Sequence, residues 1–401
     1  TMALIYSTSY LNGALGEEKY YAILFVMTAA MIGLACSADL FNLWVWFETL
    51  TVSSYLLVMF HRNQSLEAGL KYLVQSAIGS ALVLLGIALV LMQTGTLALT
   101  EIKPLATPDP LLLVAGALVV IGFGVKIAFV PLHTWLPDAH SQAPSSISAL
   151  LSGIVIEVAL IALLRVLAAL SGVTLTWGAL LLGFGAVNML GGNLLALRQT
   201  QVKRLLAYSS ISHVGYMLLG FGIGIASGEL AGAQGGFFHL VNHGLMKALA
   251  FLAAGALLYA LNRHTLTLND LAGASRRYPL VALAFSLSLL SLSGLPPLAG
   301  FMSKWQIFSA GFATQNDAVI LLVIFAALNS VLSLAYYMPI INRLYRQKLA
   351  LSIESGRTLP VTMIAPIVIL AVIIIVIGIF PDVLNGLTEP AGRALIAAFG
   401  G

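Results

Sequence analysis

The amino-acid sequence contains few charged side chains and a single cysteine. Charged residues make up 8% of the 401 residues, against about a quarter in ordinary soluble domains. The net charge is only +4, which leaves no strongly basic face of the kind that binds nucleic acid. Cys36 alone can form neither an intrachain disulfide nor a multi-thiolate metal cluster. We therefore expect no nucleic-acid partner, no bound metal and no cofactor of the chain's own.

Hydrophobic residues, in contrast, are abundant and make up 60% of the chain. The mean hydropathy is +0.99. A soluble protein cannot hide that much apolar surface, so the composition predicts an integral membrane protein whose partner is the lipid bilayer. Apolar stretches of about 20 residues predict spanning helices. These stretches are residues 21–37, 40–60, 67–93, 111–131, 145–170, 174–197, 204–225, 237–261, 278–312, 317–343 and 361–385.

The start of the chain has no signal-peptide pattern. Residues 1–11 are typical of the end of an earlier helix, so we expect the chain to begin inside a longer protein. The expected location is the cytoplasmic membrane of a bacterium or archaeon, or an energy-transducing organelle membrane.

Lysine and arginine are unevenly divided between the two sides of this predicted bundle. Alternating the loops places most of them on one side, which predicts that this side faces the cytoplasm or its equivalent. The residues on that side are Lys19, Arg62, Lys71, Arg198, Lys203, Arg204, Arg263, Arg276, Arg277, Arg343, Arg346, Lys348 and Arg357, and those on the other are Lys103, Arg165 and Arg393.

Proline interrupts two of the apolar stretches, at residues 130–138 and 294–300. Proline removes a hydrogen-bond donor, and broken backbone at membrane depth occurs only inside protein or beside water. Either site alone could be an ordinary kink. Together, in separate halves of the chain, they favour a transporter with repeated halves.

Ionisable residues lie inside the predicted spans. They are Glu48, Lys126, Glu157, Lys247 and Lys304, with His213, His239 and His243 at similar depth. An ion in the bilayer centre is costly, so such residues usually mark ion paths. Any single one could instead be a structural ion pair or a hydrogen-bonded core histidine. The spacing of His239, His243 and Lys247 places them on one helix face.

This set of residues permits proton transfer. Burial lowers the pKa of a lysine and a nearby carboxylate raises it, so moving the carboxylate releases the proton. Histidine titrates near neutral pH and can relay protons. Acids, lysines and histidines, with water in the polar gaps, could therefore pass protons stepwise.

Four segments resemble the antiporter-like membrane subunits shared by respiratory complex I, Mrp-type sodium/proton antiporters and membrane-bound hydrogenases. The segments are LWVWFETL at 43–50, GVKIAFVPLHTWLPDAH at 124–140, LAYSSISHVGY at 206–216 and GLPPLAGFMSK at 294–304. The resemblance covers essentially the whole chain and does not identify the member.

The resemblance implies an all-α, polytopic transmembrane helix bundle with two inverted five-helix repeats, each containing a broken helix. The implied division is an earlier helix end and loop (1–20), a first repeat (21–171), a second repeat (172–346) and a C-terminal loop, final helix and tail (347–401). On the family pattern, the first two helices and most of the third precede this chain.

The resemblance also implies roles for individual residues. Glu48 would stand at the start of the proton path, with Lys71 as its modulating partner. Lys126, on the first broken helix, would pair with Glu48. His213 and Lys247 would lie on a central polar axis, and Lys304 would be the terminal ionisable residue of the second broken helix.

Two features distinguish this chain within the family pattern. Glu157 stands where many members carry lysine or histidine, so it could stabilise a protonated Lys126 or Lys247, or coordinate a cation. The spacing of His239, His243 and Lys247 is more similar to Mrp-type and hydrogenase-type members and to the largest complex I member.

The predicted function is that of a proton-translocating, antiporter-like subunit of a complex I-related membrane complex. Partner membrane subunits would supply redox energy, and the chain would hold no redox centre itself, which leaves open whether it is an enzyme. The alternatives are an Mrp-type sodium/proton antiporter or membrane-bound hydrogenase subunit and, more distantly, a quinone- or haem-binding subunit. A purely structural spacer is disfavoured by the buried charges.

Overall fold

The computed structural model describes residues 1–174, 176–346 and 351–400, apart from the side chains of residues 62–64, 351 and 352. Lys348, the side chain of Arg62 and the predicted boundary at residue 347 lie outside this description. The described chain is an all-helical bundle. Its α-helices are α1 (Met2–Tyr10), α2 (Glu17–Cys36), α3 (Leu40–Val58), α4 (Leu66–Thr94), α5 (Leu99–Leu105), α6 (Pro110–Ile127), α7 (Trp135–Gln142), α8 (Ser145–Leu150), α9 (Ile156–Ala169), α10 (Trp177–Leu197), α11 (Val202–Ser227), α12 (Leu230–Leu261), α13 (Ala274–Arg277), α14 (Pro279–Ser293), α15 (Ala299–Ala313), α16 (Asp317–Leu344), α17 (Leu351–Glu354), α18 (Val361–Ile379) and α19 (Asn385–Phe399).

The predicted spans are present, with shifted ends. Within the described residues, 10 helices are long and apolar enough to cross a membrane, and α14 with α15 forms the broken segment predicted over 278–312. The stretch 111–131 is helical only to Ile127, because Ala128 adopts a left-handed conformation with φ 64°. The helix predicted at 237 begins at Leu230, since the glycines and alanines before it carry little hydropathy signal. The last span ends at Ile379, just before Pro381, and the additional helix α19 follows.

Side chains stabilise the first break, between α6 and α7. The Trp135 indole N–H donates to the Val125 carbonyl at 2.6 Å, and the Val130 amide donates to Asn188 Oδ1 at 2.8 Å. An unpaired amide or carbonyl at this depth is costly. These bonds therefore allow the chain to leave the helix inside the bundle.

The second break, between α14 and α15, is stabilised in the same way. Gly294 has φ 84°, which a glycine adopts at little cost. The Gly300 amide donates to Ser291 Oγ at 3.1 Å, and Ser330 Oγ donates to the Ser293 carbonyl at 2.9 Å.

Helices α11 and α12 form the centre of the bundle, with 89% and 72% of their most apolar stretches buried. Helix α12 approaches the π-helical turn Leu151–Val155 through two glycines: a Cβ on Gly244 would lie 2.5 Å from the Gly153 carbonyl oxygen. This close approach brings the polar face of α12 against the start of α9, where Glu157 lies.

Candidate functional site

Lys126 lies at the last turn of α6, beside the first break, and is 1% exposed. Its ammonium group donates to the Tyr72 hydroxyl and, at 3.4 Å, to Ser54 Oγ. Tyr72 is itself fixed by stacking on Trp135, with ring centroids 3.9 Å apart. The C-terminal end of a helix carries partial negative charge, which also favours a cation at this position.

The predicted pairing of Glu48 with Lys126 takes a different form. No ion pair within 4.0 Å joins them in the described part of the chain, and Glu48 is only half-buried. The two charges interact at longer range. Neutral hydroxyl groups hold the Lys126 ammonium instead, one from Tyr72 of α4 and one from Ser54 of α3.

Lys71 lies at the exposed start of α4, and no ion pair within 4.0 Å joins it to Glu48 in the part of the chain that the structure describes. Its ammonium group contacts Glu67 at 2.7 Å and Asp138 at 3.2 Å. Asp138 also pairs with Arg204. The position of Lys71 therefore couples it to the second half of the first broken helix, through Asp138 of α7.

The centre of the bundle contains a buried line of polar contacts. His243 Nδ1 lies 2.7 Å from Glu157 Oε1, and the rings of His243 and His213 have centroids 5.3 Å apart. His213 Nδ1 lies 3.0 Å from His239 Nε2, and His239 Nδ1 lies 2.9 Å from Ser303 Oγ. All five side chains are buried. The line crosses from α9 through α12 and α11 to α15, and so connects both halves of the chain.

Glu157 contacts His243 rather than either lysine that it was predicted to stabilise. The close approach of Gly244 to Gly153 accounts for this contact.

Lys247 and Lys304 are the other two buried lysines. The Lys247 ammonium donates to the Leu206 carbonyl at 2.8 Å and to Ser209 Oγ. The Lys304 ammonium donates to the Leu292 carbonyl at 2.9 Å and to Ser330 Oγ at 2.8 Å. Leu292 lies in the last turn of α14, where the break frees carbonyl groups that a continuous helix would use.

Neutral oxygen atoms hold all three buried lysines of the predicted site. No carboxylate lies within 4.0 Å of Lys126, Lys247 or Lys304 among the residues described. Hydroxyl and carbonyl oxygens accept from an ammonium, and a hydroxyl can equally donate to a neutral amine. The same contacts can therefore serve both the protonated and the neutral lysine. The described residues also contain no group of three or more His, Cys, Asp or Glu that could hold a metal ion.

Sequence reasoning missed three residues around these groups. Lys203, placed at an aqueous edge, is 2% exposed and donates to the Ala143 carbonyl. His140 is fully buried and stacks on Phe251, with ring centroids 4.8 Å apart. Tyr72 binds Lys126. His140 stood at the end of a quoted segment and Tyr72 beside Lys71, but only the tertiary packing shows their burial and contacts.

A broken-helix bundle that buries a line of one carboxylate, three histidines and a serine, together with three lysines, defines a membrane protein of the antiporter-like class. Residues 37–332 match the family model described as NADH:quinone oxidoreductase/Mrp antiporter, TM, and the chain belongs to this family.

Similar proteins agree with this assignment. The chain is 35% identical over 377 residues to NADH-quinone oxidoreductase subunit N of Moorella thermoacetica, covering 92% of this chain and 77% of the relative. It is 32% identical over 409 residues to F(420)H(2) dehydrogenase subunit N of Methanosarcina mazei, covering 98% and 80%.

Solved structures show the same fold. A chain of respiratory complex I from Thermus thermophilus is similar with a TM-score of 0.77 and 31% identity, covering 97% of this chain and 85% of that one. A chain of the Mrp complex from Dietzia sp. has a TM-score of 0.87 and 24% identity, covering 100% and 83%. The latter likeness concerns the fold alone.

Proposed function

We propose that this chain translocates protons as an antiporter-like subunit of a complex I-related membrane complex. The observation that carries the proposal is the buried line from Glu157 to Ser303, which spans four helices with contacts of hydrogen-bonding length at three of its four steps. Membrane-buried ionisable side chains are costly and are retained where they serve ion movement.

The histidines can relay a proton by exchanging tautomers. In one arrangement His213 Nδ1–H donates to His239 Nε2, and His239 Nδ1–H donates to Ser303. In the reverse arrangement Ser303 donates to His239 Nδ1, and His239 Nε2–H donates to His213. When one proton enters at the His213 end and another leaves at the Ser303 end, the first arrangement is converted into the second.

The lysines act as proton stores on either side of this relay. Lys126 and Lys304 each lie beside a helix break, and Lys247 lies one turn from His243 on α12. No direct hydrogen bond joins Lys126 to Glu157 within the described chain. A proton crossing there needs a bridging water molecule or a side-chain rotation.

Partner membrane subunits supply the driving energy in this proposal. The relatives named above are subunits N of NADH- and F(420)H(2)-dependent enzymes, which favours redox chemistry in neighbouring subunits coupled electrostatically to the buried charges. We also propose that residues 21–171 and 172–346 form two inverted repeats, since each contains one broken helix with a lysine beside the break.

Substitution of Lys126 tests the function. Lys126→Met preserves the aliphatic stem and removes the titratable group, so proton translocation by the intact complex in vesicles should be lost. Lys19→Met, at an exposed lysine, is the matched control and should translocate normally. Wild-type translocation by a correctly assembled Lys126→Met complex would contradict the proposal.

Sodium/proton exchange is the second candidate function, and Glu157 is the observation that favours it. A buried carboxylate beside the central histidines could bind sodium instead of accepting a proton, since oxygen ligands suit hard cations. Sodium-dependent proton movement that disappears in Glu157→Gln would support this candidate. Proton movement that is independent of sodium in the wild type would exclude it.

A further inference from the structure

A polar cavity of about 440 Å³ lies apart from the buried line, on the side of the bundle rich in lysine and arginine. Its volume is within the range of small-molecule sites. The segments that supply its basic side chains are distant in sequence. They are the segment that follows α3, the start of α11, the segment that follows α12 and the segment that precedes α18. The basic side chains that they contribute are His61, Lys203, Arg263, His264 and Arg357.

The charge of this cavity is one-sided. None of the described residues that line it is acidic. Asp270 pairs with Arg263 but does not itself line the cavity. Two histidine rings, His61 and His264, lie edge to face with centroids 6.0 Å apart and add further N–H donors.

The buried Lys203 ammonium lacks a negatively charged neighbour among the described residues. Its side chain is buried, and its ammonium donates to the neutral Ala143 carbonyl. Within the described residues no carboxylate lies within 4.0 Å of it. Burying an ammonium without a counter-charge is unfavourable, so an anion bound beside it would remove an existing cost.

We propose that this cavity binds the phosphate group of an anionic ligand. Arginine forks match phosphate oxygens in pairs, and lysine adds a point charge. The phosphate has two possible sources, the headgroup of an anionic phospholipid and a soluble phosphate compound. Basic pockets between transmembrane helices on the cytoplasmic side are suited to anionic headgroups, and this cavity lies on the side predicted to face the cytoplasm.

The test compares three labelled probes on the full-length chain in its purified, detergent-solubilised complex. The probes are short-chain phosphatidylglycerol, short-chain phosphatidylcholine and inorganic phosphate, and the measurement is equilibrium binding. The cavity variants are Arg357→Gln, His264→Gln and Lys203→Met. Arg276→Gln, an exposed arginine outside the cavity, is the matched control. The first two variants alter exposed side chains and keep the test valid if Lys203→Met fails to fold.

Each outcome decides the proposal. Arg357→Gln should weaken binding about tenfold, the effect of losing one charged hydrogen bond, while Arg276→Gln leaves it unchanged. If only phosphatidylglycerol shows this loss, the ligand is a lipid headgroup, and if inorganic phosphate shows it too and displaces the lipid, a soluble phosphate is the ligand. Equal binding of phosphatidylcholine and phosphatidylglycerol without binding of inorganic phosphate, or equal affinity in wild type and all cavity variants, would overturn the proposal.

Discussion

Replacing Glu157 by leucine should destabilise the centre of the bundle strongly. Glu157 is 5% exposed and its Oε1 atom lies 2.7 Å from His243 Nδ1, which is fully buried. Leucine removes the acceptor and leaves the imidazole N–H unpaired. Breaking a buried pair on one side only costs about 3–5 kcal/mol. Glu157→Gln keeps an acceptor and loses only the charge, so it should cost about 1 kcal/mol.

The double variant makes this prediction specific. Replacing both Glu157 and His243 by leucine removes the unpaired polar group, and such apolar replacement of a whole pair is often close to neutral. The double variant should therefore be more stable than Glu157→Leu alone. The measurement is the free energy of unfolding of the purified protein in detergent, by reversible denaturant titration. Strictly additive effects, or a Glu157→Leu variant as stable as the wild type, would refute the reasoning.

Two further substitutions test the helix break and the central helix contact. Asn188→Leu should cost about 1–3 kcal/mol of unfolding free energy, because the Val130 amide loses its buried acceptor; a loss below about 0.5 kcal/mol would contradict this. Gly244→Ala should cost about 1–3 kcal/mol, because its Cβ would lie 2.5 Å from the Gly153 carbonyl oxygen. The control is Gly183→Ala, whose added Cβ would have no atom within 4 Å, so this substitution should be neutral or slightly stabilising. Equal losses of unfolding free energy for the two alanine variants would contradict the packing argument.

The spans and their breaks could be predicted because each depends on local composition. Long apolar runs predict membrane helices, and the prolines near residues 131 and 296 predict the interruptions. The predicted ends of the helices are less accurate than the predicted spans. Ala128 ends α6 by its backbone conformation, which Trp135 and Asn188 stabilise from a distance, and no local signal marks it.

Side-chain contacts at the site depend on packing between helices and could not be read from one sequence. The immediate neighbours of Lys126 are the hydroxyl groups of Tyr72 and Ser54 rather than Glu48, and this depends on how α3 and α4 pack around the end of α6. Lys203 lies at the start of α11, and from the sequence a lysine at that position is expected to be exposed to water. In the structure it is buried, because neighbouring segments cover it. The spacing of His239 and His243 did predict one face, because helix periodicity is local.

Proton translocation by His239→Gln measures the central claim most directly. Glutamine can donate to one neighbour and accept from the other, as His239 does with His213 and Ser303, but it cannot pass a proton by exchanging the two tautomers of an imidazole ring. We expect the variant to assemble and unfold like the wild type while the translocation rate in vesicles falls about a hundredfold or more. A correctly assembled His239→Gln complex that translocates protons at the wild-type rate would contradict the relay.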